Sequence, residues 1–150
     1  MLRQFGIGGG VSLINIAIHA LVMTMVVQAA QRAAGKQKAH PSLFLVAVMI
    51  PTVSLLMVTH TLEVMVWSLA YWIVGAAPDG ADRVYFAFVN YTTLGYGDII
   101  PVERWRLLGP MTAMNGVLMF GWSTAVIFEV LQKVLLLIES GPHIDRDRRR

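Results

Sequence analysis

The sequence predicts an all-α membrane protein with three membrane-crossing helices and, between the second and third, a short helix and loop that enter the layer and return. Three observations predict it. Of 150 residues, 56% are hydrophobic and only 14% charged, a balance too apolar for a water-soluble globule of that size. Apolar stretches at 11–30, 43–77 and about 107–138 each reach the roughly 20 residues that a crossing helix needs. A fourth apolar run, 84–92, is too short to cross and leads directly into Thr93-Leu94-Gly95-Tyr96-Gly97.

Residues 11–30 carry no formal charge, and at about 1.5 Å per residue they match a hydrocarbon layer of about 30 Å. Arg3, the apolar run and the small residues of 28–35 are also the ingredients of a secretory signal with its cleavage site. The run is long for a signal, so it is read as a retained helix. The second stretch contains Pro51, a kink position, and carries His60 and Glu63. The third is followed by the helix-breaking pair Gly141-Pro142. Both later stretches exceed the bilayer, and tilt accommodates the excess.

There is no cysteine, which excludes disulfides and thiolate-held zinc or iron–sulfur centres. A net charge of +3 and a pI near 9.6 raise the question of nucleic acid. The basic residues, however, cluster at the ends of the apolar stretches rather than in a stripe, which fits membrane topology instead. Arg32, Lys36 and Lys38 in one connection, and Arg146, Arg148, Arg149 and Arg150 in the tail, belong on the cytoplasmic side. Three spans then place the N-terminus and the 78–106 connection outside, in what is expected to be a plasma or inner membrane. The tail meets the cytoplasm, where it is either solvated or against anionic lipid headgroups. The division is an N-terminal helix with its basic connection (1–42), a membrane core (43–140) and a short basic tail (141–150). No repeat or low-complexity segment interrupts it.

Non-helical backbone at membrane depth is tolerated only where it lines an aqueous cavity, so the return strand 93–97 points to a pore. A potassium ion sheds its water only where rings of oxygens replace it, and inward-aimed backbone carbonyls from several chains make such rings. Glycines at 95 and 97 allow the backbone angles that keep successive carbonyls on the axis. The carbonyls of Thr93, Leu94, Gly95 and Tyr96 are then the potassium ligands, with the Thr93 hydroxyl in the innermost ring, while the Leu94 and Tyr96 side chains point away and pack the loop from behind.

Thr92-Thr93-Leu94-Gly95-Tyr96-Gly97-Asp98 resembles the selectivity filter of the potassium channel superfamily, and 43–138 resembles its two-helix pore module. The first helix lies outside the match. The resemblance implies a homotetramer around one axis, passive potassium conduction, no cofactor beyond the permeant ion and no catalytic step. Leu94 stands where the commoner filter has Val. Val89 stands where some bacterial members carry a pore-helix glutamate. Tyr85 stands where others have a tryptophan bonded to the aspartate after the filter, so a Tyr85 hydroxyl to Asp98 contact is expected as filter support.

Gly116 falls near the family's hinge glycine, with Gly121 five residues on. Either could bend the helix, or small residues there simply let helices approach. Alignment on Gly116 lines the cavity with Phe120, Thr124 and Phe128; a one-residue slip gives Gly121, Ala125 and Glu129. Glu129 and Lys133 are spaced for a local ion pair, the alternative being a ring of Glu129 carboxylates at the inner mouth.

His60 and Glu63 share a helix face near mid-span, where a charge must be paired, protonated or wet. His19, with Asn15 one turn before it, can approach Glu63 because the first two helices run antiparallel. These groups are read as a polar clamp docking the first helix, or as a proton sensor acting on gating. A metal site would need ligands beyond His60 and Glu63 that the sequence does not reveal. No span carries arginines at three-residue spacing, so voltage sensing by a charged helix is not expected. A regulatory partner is unidentified. The ionisable groups form no nucleophile, base and orienter set, so the chain is not read as an enzyme. The rivals are a non-selective cation pore and a non-conducting scaffold or accessory subunit that keeps the pore module.

Overall fold

The computed structural model describes residues 1–34 and 41–140. Lys36, Lys38, the Gly141-Pro142 stop and the basic tail lie outside the described residues. Helix α1 spans Leu2–Ala34, α2 Pro41–Val74, α3 Arg83–Tyr91 and α4 Leu108–Ser140, with a 3-10 turn at Glu103–Trp105 before α4. No strand occurs among the described residues. Three of these helices are long and apolar enough to cross a membrane, and the protein is a membrane protein of all-α class.

Helix α1 begins nine residues before the uncharged stretch, at Leu2. Arg3 extends it beyond the apolar run, where a terminal turn can reach the interface. Helix α2 ends at Val74 rather than at 77, because Gly75 adopts φ +63°. Its N–H bonds Trp72 O at 3.3 Å and the Ala76 N–H bonds Tyr71 O at 3.0 Å, the paired bonds that close a helix on a left-handed glycine. The helix runs on through Pro51.

Helices α1 and α4 start at the same end of the bundle: the Leu107 N–H bonds Gln4 Oε1 at 2.9 Å. Helix α2 runs opposite to both, and α3 lies between α2 and α4. At the α3 end, Trp67, Tyr71, Phe86, Tyr91, Leu108 and Met119 form one apolar cluster. At the other end Met23, Val26, Leu56, Val126, Val130 and Val134 form a second. Between them lies a layer of buried polar side chains, Asn15, His19, Thr59, Glu63, Asn115 and Ser123.

Candidate functional site

Helix α3 is started by Asp82, whose Oδ1 accepts from the N–H groups of Val84 at 2.9 Å and Tyr85 at 3.1 Å, satisfying donors that a helix leaves open. At its far end the Thr93 N–H bonds Asn90 O at 3.1 Å and the Leu94 N–H bonds Val89 O at 3.0 Å, and the chain then leaves the helix. Positive φ recurs at every second residue: +60° at Thr93, +59° at Gly95 and +78° at Gly97. In an ordinary extended chain, successive carbonyls face opposite ways. An alternating hand of the backbone is what a strand needs for successive carbonyls to face one side. The glycines take these angles freely. Thr93 does so against its β-branched side chain, a feature the spacing of glycines did not announce.

Leu94 and Tyr96 are 52% and 69% exposed. The expected packing from behind is therefore not provided by their own chain. The Tyr85 hydroxyl donates to Asp98 Oδ2 at 2.7 Å, the contact expected from the position of the two residues. Val89 is buried, and the carboxylate behind α3 comes instead from α2: the Tyr91 hydroxyl, on the last turn of α3, donates to Glu63 Oε2.

Glu63 is the centre of the polar layer. Its Oε1 lies 2.8 Å from His19 Nδ1 and its Oε2 lies 3.1 Å from His60 Nδ1. His60 Nδ1 is also 3.1 Å from the Tyr91 hydroxyl. On the far sides of both rings, Ser123 Oγ sits 3.0 Å from His60 Nε2 and 3.4 Å from His19 Nε2. One turn along, the Asn15 side-chain amide donates to Asn115 Oδ1 at 3.0 Å and to Glu63 O at 3.3 Å. The Trp67 indole N–H donates to the same Asn115 oxygen at 3.0 Å, which fixes the orientation of that amide.

The structure thus joins His19, His60 and Glu63, and it corrects one expectation: a third metal-type ligand beside His60 and Glu63 exists, and it is His19 on α1. Gly116 is not in open space. A Cβ there would lie 2.0 Å from Tyr91 O, so it is a close-approach position where α4 meets α3. Gly121 has nothing within 4 Å. Phe120, Thr124 and Phe128 are exposed in the single chain, and so are Ala125 and Glu129, which leaves both candidate stripes on the free face of α4. Lys133 Nζ donates to Glu129 Oε1 at 2.6 Å, the local pair. Tyr91, Ser123, Asn115 and Trp67 belong to the site without having been singled out from sequence. Asn115 was the findable one, a polar amide inside an apolar span.

A family model described as ion channel matches residues 43–133. The chain belongs to this ion channel family. Neither the curated proteins nor the solved structures contain a match to it. The match begins two residues into α2 and ends within α4, so α1 is an addition to the ion channel domain, and the polar layer is where the channel subunit attaches it.

Proposed function

We propose that the subunit forms a potassium-selective channel in which four copies of residues 93–97 converge on one axis. The observation that carries this reading is the alternation of positive φ at Thr93, Gly95 and Gly97, which supports a ladder of carbonyls facing one way, as ion dehydration requires. Thr93, Leu94, Gly95 and Tyr96 supply the backbone oxygens, and the Thr93 hydroxyl adds to the innermost ring. Helix α3 ends immediately before this ladder, and the negative end of its dipole favours a cation there. Tyr85 and Asp98 support the ladder from the opposite side of the strand. The exposed Leu94 and Tyr96 side chains find their packing against neighbouring subunits. Potassium moves down its gradient as a permeant ion, without cofactor or catalytic step. The α3 end and the N-terminus face outward, on the strength of the basic connection and tail.

Purified protein in liposomes tests this by flux and by reversal potential under potassium on one side and sodium on the other. A potential far on the potassium side is expected, retained in Leu94→Val because that side chain faces away from the ion path. A potential near zero makes the pore a non-selective cation channel. Absence of flux makes the chain a scaffold or accessory subunit.

A further inference from the structure

We propose that His19, His60 and Glu63, with the Tyr91 hydroxyl as fourth ligand, form a binding site for a divalent transition metal of the zinc type. The ligand atoms of the two histidines and the glutamate all lie within 4.8 Å of one another. The closest approaches, 2.8 Å from His19 Nδ1 to Glu63 Oε1 and 3.1 Å from His60 Nδ1 to the Tyr91 oxygen, are near the about 3.3 Å that separates ligands held at about 2.0–2.1 Å around a tetrahedral ion. Two imidazole nitrogens beside a carboxylate oxygen suit zinc and its neighbours, and not calcium or magnesium, which take oxygen alone.

The hydrogen-bond pattern has room for an ion. With no ion and an ionised Glu63, each Nδ1 carries its proton to meet the carboxylate, and both Nε2 atoms are acceptors. Both face Ser123 Oγ, at 3.0 and 3.4 Å, and a hydroxyl has one proton to give. An ion at both Nδ1 atoms moves those protons to Nε2, and the two lone pairs of Ser123 Oγ then accept both. Ser123 becomes the positioning residue that sets the tautomer and tilt of two metal-bound rings, the usual outer partner of a ligating histidine. A single extra proton, on one ring or on Glu63, also mends the Nε2 mismatch, and the titration below separates that proton from an ion.

The site has the burial and the access that an ion needs. The side chains of His19 and Glu63 are 0% exposed, while that of His60 keeps 14%, so entry is past His60. The Glu63 carboxylate offsets part of the charge of the ion at mid-span, where the membrane interior disfavours an unbalanced charge. Ligands come from α1, α2 and α3, and Ser123 from α4. Tyr91 stands two residues before Thr93, so the bound ion ties the added helix to the base of the filter.

The test uses the full chain in detergent, stripped with a chelator and titrated with zinc, reading bound metal per chain and melting temperature. One zinc per chain and a melting temperature raised by several degrees are expected. His19→Gln should lose both, Ser123→Ala should bind 10–100-fold more weakly, and Ser123→Thr, which restores the hydroxyl, should recover the affinity. If His19→Gln does not fold, the two Ser123 variants decide. Binding that is equal in wild type and Ser123→Ala places the ion elsewhere and overturns the proposal. So does a melting temperature that responds to pH but not to zinc, which assigns the cluster to a proton. No readout needs conduction, so the outcome is independent of potassium selectivity.

Discussion

At the residue scale, single atoms decide how α4 meets α3. A methyl at Gly116 would sit 2.0 Å from a backbone carbonyl, which cannot swing aside as a flexible side chain does. Gly116→Ala therefore forces the two helices apart, and overpacking of this kind costs about 1–3 kcal/mol. Thermal unfolding in detergent should show a drop of several degrees, whereas Gly121→Ala, facing open space, should leave the midpoint unchanged or raise it through better helix propensity. An unchanged midpoint for Gly116→Ala would return the position to a hinge. Tyr85 offers a second residue-scale test. Its hydroxyl bonds the Asp98 carboxylate, and that bond raises the hydroxyl above its ordinary phenol value. A raised value means the contribution is complete below about pH 10 and fades only as pH climbs through the raised value. Tyr85→Phe should therefore shorten the lifetime of the conducting filter under sustained flux by the same factor throughout pH 5 to 9. Equal lifetimes would remove Tyr85 and Asp98 from the filter's support.

At the scale of elements, the question is what docks α1, since the lipid is as apolar as the helix and supplies no hydrophobic drive for association. The answer is the polar layer, and the Asn15 to Asn115 bond at 3.0 Å is the part of it that can be altered without removing a partner of the Glu63 carboxylate. Asn15→Leu and Asn115→Leu should each destabilise the fold by about 0.6–2 kcal/mol. Because both remove the same bond, the double variant should fall short of their sum. Strict additivity in the unfolding midpoints would mean that the two amides act separately. The layer also marks the limit of what sequence reveals. The spans were legible because long apolar runs are unmistakable, and His19, His60, Glu63 and Asn15 were legible because polar groups stand out against them. Tyr91 was not, because its partner Glu63 stands on a different helix, and Ser123 was not, because α4 is apolar nearly all round and carries little periodicity to say which side turns inward. The same lack left the cavity register open between the Phe120 and Gly121 stripes. In the return loop, Gly95 and Gly97 announced their conformations by type, whereas Thr93 takes the same hand only because the end of α3 and the turn around it impose it.

At the scale of the whole molecule, the single chain leaves large apolar side chains uncovered beside residues 93–97. Leu94, Tyr96 and Ile100 are more than half exposed beside the filter strand, and Phe120 and Phe128 are exposed on α4; large apolar side chains grouped in this way mark an interaction surface. Lipid could cover the α4 residues, but not the side chains flanking a non-helical strand whose backbone must reach water or protein. The four-subunit ring proposed above would cover both. It would also create ion sites that exist only in the assembled state, and a ligand that binds only the assembly stabilises it by mass action. The detergent-solubilised protein should therefore run at four times the 16.6 kDa chain mass, and the assembly should survive to a higher temperature in potassium than in sodium at equal ionic strength. Gly95→Ala should abolish that difference, because φ +59° is strained for any residue with a Cβ and the carbonyl ladder would lose its alignment. A particle of one chain would sink the four-fold reading. A tetramer with equal thermal survival in the two salts would keep the assembly and reject residues 93–97 as potassium sites.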